Sequence, residues 1–480
     1  SKGFIDEHVR QRLTELRLPV SPPAADSTWL RRVSLDLTGR LPEPSMVEAY
    51  LADTSHDKRA RLIDTLIDSD AFVDYWTLRF SKLLRLHSLP NDKEGLNAYS
   101  EWLHREIARD APLDEMARQL LTATGDSHVV GPANFGRMVG DARAQAELIG
   151  QFFLGMRLGC ANCHNHPLDR WTQDDYHGLA AVFAKLDRSR QVALTARGAV
   201  TNLRTNEPAV PRIPGSRYLT EEGDHREAVV EWITSRDHDY FARATVNRLW
   251  KAMFGRGLVE PTDDLRDTNP ATHPELLTKL ADDFVKSGYR IRHTLKLIAV
   301  SDAYARSAES VAGNELDDRF YARAYPRVME PEVLVDAIAD VTGVPVQFEG
   351  QGNARAVRLI DPLVSAPVLD VLGRCNRAGG CDENASGHVG LPAQLHLLNG
   401  DLINGRLSSV EGRLRKLIDA GQTDEAIVSD FFLRGLARRP TRDELVRWQE
   451  RLAAKEAAER IRKLEDFVWS LLNSQQFREN

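Results

Sequence analysis

The chain has 480 residues, which at ~150 residues per domain predicts roughly three domains rather than one. Hydrophobic residues make up 42% and charged residues 28%, a globular composition that excludes a disordered chain. The 63 Lys and Arg against 70 Asp and Glu give a net charge of -7. This acidic balance argues against a general nucleic-acid-binding protein.

No apolar run approaches the ~18 residues of a membrane helix, so no transmembrane segment is predicted. The sequence shows no signal peptide. Ser1 is not a natural start, which is compatible with a leader that has been removed.

Apolar residues recur at helical spacing through most of the first third of the chain. This spacing predicts helices at 4–16, 57–67, 72–86, 96–108 and 141–158. The Pro-rich turn "SPPAADS" (21–27) precedes a further helix that opens at "DSTWL", for which Asp26 or Ser27 is the expected cap.

Helical periodicity is lost over 187–224, where a short hairpin is expected at 192–200. It returns at 226–254 and 274–286, is lost again over 342–390, and covers the last ninety residues. The best of few strand signals is "AVRLI" (356–360). The prediction is a mainly α-helical fold of two domains with few short strands: residues 1–186, a linker or insert at 187–224, and residues 225–480 with a second irregular insert at 342–390.

One helix ending occurs three times, as a Ser followed three residues later by an aromatic residue. The pairs are Ser69 and Phe72, Ser301 and Tyr304, and Ser474 and Phe477. The favoured interpretation is that Ser ends or caps each helix while the aromatic ring fills the core. The alternative is a duplicated helical hairpin, since 35–51 resembles 434–452, and the two ends of the chain are then expected to pack together.

The informative motif lies in segment 158–186 and reads Cys160-Ala161-Asn162-Cys163-His164, the attachment pattern of c-type haem. Random placement of four Cys and fourteen His gives this pattern on the order of 10⁻³ times. Two thiols three positions apart on one helical face can reach both vinyl groups at a porphyrin edge. The next residue, His164, is then placed to bind the iron.

The residues after the motif are typical of a haem edge. Arg170 and Trp171 are predicted to contact the cofactor, by donating to propionates and by forming an aromatic wall, with core packing as the alternative for Trp171. His166 is expected to bond a propionate or backbone, and His177 to lie on a helix surface. The remote candidates for the sixth iron ligand, each more typical of a structural role, are Met253, His273, Met329, His388 and His396. An open sixth position favours catalysis or ligand binding and a filled one favours electron transfer.

Three other interpretations of the motif stay open. A zinc or copper site could use its Cys and His side chains together with His166, with Cys375 and Cys381 as a second pair. A redox dithiol or a plain disulfide is also compatible with CxxC. The sequence contains no phosphate-binding loop, nucleophile elbow or HExxH helix, so no hydrolase chemistry is predicted.

The motif and its flank, "CANCHNHPLDRWTQDDYHGLAAVF" (160–183), resemble the planctomycete cytochrome-type secreted proteins, which have two adjoining domains of unknown function. Long segments at 241–307 and 391–407 match as well. The resemblance implies that Cys160, Cys163 and His164 attach haem, and that His166, Trp171, Asp175 and Tyr176 stand at positions typical of the family. It also implies secretion and a setting of polysaccharide breakdown.

The chain departs from this resemblance at its second cysteine pair. Relatives tend to carry Cys-x-Cys followed by Arg, whereas here Cys375 precedes Cys381 by six residues in "GRCNRAGGC". We predict a local disulfide that closes a Gly-rich loop.

The sequence thus predicts a periplasmic or secreted mono-haem c-type cytochrome with one covalent haem c. It would act in electron transfer with a redox partner protein or as a haem oxidoreductase, and a sugar-derived substrate follows from the resemblance alone. The alternative is a secreted carbohydrate-binding or structural protein with zinc or copper at the Cys/His cluster. No catalytic residue is predicted.

Overall fold

The structure, a computed structural model, describes residues 3–235, 239–378, 381 and 390–480. These residues contain 22 α-helices and three short strands, and 54% of the chain is helical. The predicted mainly α-helical fold is therefore confirmed. Within the described ranges, no helix combines the length and the apolar character needed to cross a bilayer.

The helices are numbered in chain order. Those before residue 236 are α1 Phe4–Glu15, α2 Asp26–Thr38, α3 Pro44–Ala52, α4 Lys58–Ile67, α5 Asp70–Leu83, α6 Lys93–Ala108, α7 Leu113–Thr122, α8 Ala142–Ile149, α9 Gln173–Val182 and α10 Arg226–Ile233. Those after it are α11 Tyr240–Phe254, α12 Pro274–Lys286, α13 Ile291–Ala299, α14 Pro331–Thr342, α15 Pro367–Val371, α16 Leu391–Asn399, α17 Asn404–Leu407, α18 Arg413–Asp419, α19 Asp424–Leu436, α20 Arg442–Leu452, α21 Ala457–Asn473 and α22 Gln475–Arg478. The first four helices predicted from spacing lie close to α1, α4, α5 and α6.

The predicted helix 141–158 is wrong in its second half. Helix α8 ends at Ile149, a turn of π-helix covers Gly150–Leu154, and Gly155 then adopts a left-handed conformation with φ 62°. A Cβ at Gly155 would lie 2.7 Å from the side chain of Leu265, so the close approach as well as the positive φ requires glycine. The chain changes direction here, just before the CxxCH motif.

The three strands form a small antiparallel sheet in the order β1-β3-β2. They are β1 Gly125–Asp126, β2 Leu186–Asp187 and β3 Gln191–Leu194. Leu186 pairs with Leu194 and Gly125 pairs with Val192. The hairpin expected at 192–200 therefore lies a few residues earlier.

The Ser-aromatic helix endings all have the predicted capping geometry. The hydroxyls of Ser69, Ser301 and Ser474 each donate to the carbonyl three residues earlier, at 2.6 to 2.7 Å. Each hydroxyl also accepts the N–H of the aromatic residue three positions later, at 3.2 Å. All three aromatic rings are buried. The same local hydrogen-bond pattern thus ends a helix and fixes an aromatic ring in the core at three places in the chain.

The two ends of the chain pack together, as expected. The buried guanidinium of Arg31 on α2 donates to the carbonyls of Phe477 and Glu479, both at 2.6 Å, and of Gly435 at 3.2 Å. Burial lowers the pKa of Arg31 to about 10, so it stays charged at neutral pH. An ion pair between Arg439 and Glu48 ties the same two regions together at the surface.

Two local predictions are wrong because an aspartate makes longer-range contacts. Neither Asp26 nor Ser27 caps α2; the Asp26 carboxylate pairs instead with Lys58 at 2.7 Å. The segment "AVRLI" forms a turn of 3₁₀ helix rather than a strand. Its first two amides, at Ala356 and Val357, donate to the buried Asp336 carboxylate at 2.7 and 3.1 Å.

Candidate functional site

The CxxCH motif lies on an exposed turn of 3₁₀ helix, Leu158–Asn162, with Cys163 directly after it. The thiols of Cys160 and Cys163 are both free and exposed. The two cysteines are three positions apart, and both thiols are accessible to solvent at this turn.

His164 is exposed, and its ring is oriented by its neighbour. The Nδ1 atom lies 2.7 Å from the carbonyl oxygen of Asn165. A carbonyl can only accept, so Nδ1 carries the proton in this contact and, in the neutral ring, Nε2 keeps its lone pair. This tautomer is the one that leaves Nε2 available to a metal.

The motif turn is held from beneath by α9. His177 Nε2 lies 3.0 Å from the carbonyl oxygen of Asn162, and Gln173 Nε2 donates to the same oxygen at 3.3 Å. His177 is 0% exposed, so the predicted surface position is wrong. Burial lowers its pKa, which keeps the ring neutral at physiological pH.

His166 closes the loop that follows the motif. Its backbone N–H donates to the carbonyl of Trp171 at 2.8 Å. Its ring Nδ1 accepts the backbone N–H of Leu168 at 3.3 Å. The backbone-bonding role expected for His166 is thus present, whereas a bond to a propionate stays a prediction.

Trp171 packs in the core and Arg170 covers it. The Trp171 side chain is 1% exposed, and the Arg170 guanidinium stacks 4.6 Å above its ring and 5.4 Å above that of Tyr240. The geometry favours core packing of Trp171 over an aromatic wall for a ligand. Arg170 is exposed, and among the described residues its guanidinium has no carboxylate within 4.0 Å, so it remains available to an anionic group.

Two further residues of the segment after the motif have structural roles in this chain. Asp175 and Thr172 form a capping box that starts α9, and Arg212 donates to Asp175 at 2.8 Å. Burial alone would raise the pKa of Asp175, but these hydrogen bonds hold it below its usual range. Tyr176 donates to Glu147 at 2.7 Å and so joins α9 to α8.

A ready-made zinc or copper site is not present at the motif. Across the described residues, the side chains of Cys160, Cys163, His164 and His166 do not bring three ligand atoms within 4.8 Å of one another. The second pair cannot supply thiolates, because Cys375 and Cys381 form a disulfide with Cα atoms 5.7 Å apart. The predicted disulfide is therefore confirmed.

Sequence reasoning missed one cluster of possible ligands. Asp92, Glu94 and His128 bring their ligand atoms within 4.8 Å of one another. Asp92 already contacts His128 Nε2 at 2.7 Å, pairs with Arg137 at 2.5 Å and accepts the N–H of Gly95 at 3.0 Å. Asp92 is therefore the N-cap of α6 and is already engaged by three partners.

Most candidate sixth ligands have packing roles. Met253, His273 and Met329 are buried, and His396 is half-buried. His273 Nδ1 lies 3.0 Å from the Thr272 hydroxyl oxygen, and burial lowers the pKa of His273 to about 4. His388 lies outside the described residues.

Two family models match the chain. Residues 4–188 match PSCyt2, a protein of unknown function (DUF1549), and residues 225–452 match PSD1, a protein of unknown function (DUF1553). The chain contains two adjoining domains of unknown function. The CxxCH turn and the α9 residues that hold it all lie in the PSCyt2 domain. No curated protein and no solved structure matches the chain significantly.

Proposed function

We propose that this protein is a periplasmic or secreted mono-haem c-type cytochrome that carries its haem on the PSCyt2 domain. The observation that carries the proposal is the pairing of two free, exposed thiols, three residues apart, with a histidine whose Nδ1 bonds a carbonyl. Covalent attachment would use Cys160 and Cys163, and His164 would bind the iron through Nε2.

The donor set of the chain fits such a group better than it fits zinc. Haem attachment needs two thiols on one side of a turn and a single imidazole, and all three are accessible here. A tetrahedral zinc site needs four converging ligands, and the described Cys and His side chains do not converge. When bound, haem would supply a one-electron iron couple.

The surrounding residues would hold and orient the group. His177 and Gln173 fix the Asn162 carbonyl and hence the turn between the two cysteines. Arg170 offers an exposed guanidinium to a propionate. The motif lies on the surface, so a redox partner protein could approach its edge directly. A sugar-derived substrate rests on the family resemblance alone.

The test is expression in the periplasm of a host that attaches haem to CxxCH proteins. The purified wild-type protein is expected to show a haem-sized mass addition that survives denaturation, and Cys160→Ser/Cys163→Ser to show none. His166→Ala is the matched control and should keep the addition. A wild-type protein without tetrapyrrole from this host would refute the proposal, and stoichiometric zinc in that protein would favour the alternative.

A further inference from the structure

A large cavity lies between the two domains, away from the CxxCH turn. Its volume is about 980 Å³, at the upper end of the ~300–1,000 Å³ range of small-molecule sites. Its walls come from α2 and α5 of the PSCyt2 domain and from α11 and α14 of the PSD1 domain. None of its lining residues belongs to segment 158–186.

The described lining is positively charged. It contains seven Arg or Lys side chains and four Asp or Glu side chains, an excess of three cations. Three of the carboxylates already have cationic partners within the lining. These pairs are Asp36 with Arg327, Glu330 with Arg79 and with Lys82 at 2.6 Å each, and Glu260 with Lys251 at 3.1 Å.

Two lining arginines lack such a partner. Among the described residues, neither Arg256 nor Arg323 has a carboxylate within 4.0 Å of its guanidinium, and the Nε atom of each is buried without a hydrogen-bond acceptor. Within the part of the chain that the structure describes, Arg323 donates only to the carbonyl oxygens of Ala308 at 3.3 Å and Glu315 at 3.4 Å. Because neither guanidinium is paired with a carboxylate among the described residues, these two groups suit an anionic ligand.

Most of the remaining wall is apolar. The rings of Trp76, Phe80, Phe152 and Phe241 line the cavity. Aromatic rings beside cationic groups match a ligand with an apolar body and a charged end.

We propose that this cavity binds a small organic anion, with its carboxylate or sulfate group at the Arg256 and Arg323 guanidinium groups and its body against the aromatic wall. The site is independent of the CxxCH turn, so it stands whether or not the protein carries haem. It assigns a ligand site to the junction of the two domains.

The test uses 8-anilinonaphthalene-1-sulfonate as a fluorescent probe of the full-length protein. We expect one saturable site, displaced by 1-naphthoate or 1-naphthyl sulfate at least tenfold more effectively than by uncharged 1-naphthamide. The ratio between the two anions distinguishes a carboxylate ligand from a sulfate ligand. Absence of a saturable site, or equal displacement by naphthamide, would overturn the proposal without any variant.

Variants then locate the site. Arg256→Gln/Arg323→Gln is expected to weaken probe binding at least tenfold, while Arg442→Gln, an exposed arginine outside the cavity, leaves it unchanged. Unchanged binding in a folded double variant would refute the assignment to these arginines. If the double variant does not fold, the single variants Arg256→Gln and Arg323→Gln replace it. Each is expected to weaken probe binding at least threefold, and unchanged binding in both folded single variants would refute the assignment.

Discussion

The chain has two local cysteine pairs, and they differ in oxidation state. Cys160 and Cys163 lie on an exposed turn with free thiols, whereas Cys375 and Cys381 form a disulfide in the wall of the interdomain cavity. Each pair is positioned by a buried side chain that bonds backbone carbonyls. His177 holds the first turn, and Arg377 holds the second loop.

The contrast shows that the local structure around a cysteine pair determines whether its thiols stay free or form a disulfide. A turn held from beneath directs both thiols outward and leaves them free to react. A loop held from within brings its ends together, and the disulfide then closes it. The predictions that follow test this contrast, beginning with the largest expected effect.

The first prediction concerns thiol reactivity and is all or none. Iodoacetamide, added without reductant to native protein made without haem attachment, should label Cys160 and Cys163 completely and the other pair not at all. The reason is that the first pair is exposed and reduced and the second is oxidised. Peptide mass spectrometry measures the labelled fraction of each cysteine. Labelling of Cys375 or Cys381 before reduction would show that this pair also has free thiols and would contradict the prediction.

The second prediction concerns the anchor of the disulfide loop. Arg377 is buried and donates to the carbonyls of Ile360 at 2.8 Å and Leu86 at 3.3 Å. Arg377→Met should lower the free energy of unfolding by about 3 kcal/mol, because it leaves buried carbonyls without donors. Urea unfolding measures the change. Arg358→Met, at a mostly exposed side chain, is the control and should change stability by less than ~0.5 kcal/mol. Equal losses of stability in the two variants would contradict the anchor role of Arg377.

The third prediction concerns the disulfide itself. Cys375→Ser/Cys381→Ser should lower the free energy of unfolding by about 2 kcal/mol, the value expected for closing a loop this short. Cys160→Ser/Cys163→Ser in haem-free protein is the matched control and should change it by less than ~0.5 kcal/mol. Unfolding at fixed pH with and without reductant provides the measurement. Stability losses of the same size in both double variants would show that the pairs do not differ in structural role.

The fourth prediction concerns the anchor of the motif turn. His177→Phe removes the shorter of two side-chain hydrogen bonds to the Asn162 carbonyl and should lower stability by about 1 kcal/mol at pH 7.5. His56→Phe, at an exposed histidine, should have no measurable effect. Hydrogen exchange at residues 158–164 should speed up only in the first variant. Unchanged hydrogen exchange at residues 158–164 in His177→Phe would show that His177 does not stabilise the motif turn.

The same histidine predicts a pH dependence. Burial lowers the pKa of His177 in the folded state, so below about pH 6.5 the unfolded chain binds a proton that the folded chain does not. The contribution of His177 to stability is therefore present above that pH and is lost as pH falls. Unfolding at pH 7.5 and pH 5.0 should show the gap between wild type and His177→Phe narrowing. A gap that widens on acidification would contradict this.

Local rules predicted much of the fold. The Ser69, Ser301 and Ser474 endings were predictable because a hydroxyl cap and its aromatic partner lie within seven residues of sequence. The Cys375–Cys381 disulfide was predictable because six residues separate the pair. Duplication of a helical hairpin stays a prediction, since capping geometry alone accounts for the repeats.

Tertiary contacts account for what the sequence did not reveal. The inward position of His177 depends on how α9 packs against the motif turn, and the loss of a strand at 356–360 depends on Asp336, twenty residues away. The interdomain cavity was not predicted at all, because Arg256 and Arg323 come to line one cavity with aromatic residues of α5 only after the domains pack. No local pattern carries that information.

The hydrogen bonds that Arg31 donates to three distant carbonyls have a consequence for the order of translation and folding. These carbonyls belong to residues 435, 477 and 479, so the acceptors of Arg31 leave the ribosome more than four hundred residues after it does. Contacts of such long sequence separation form slowly. The first domain thus reaches its finished state only after translation of the second, and a nonsense mutation near residue 470 would damage both.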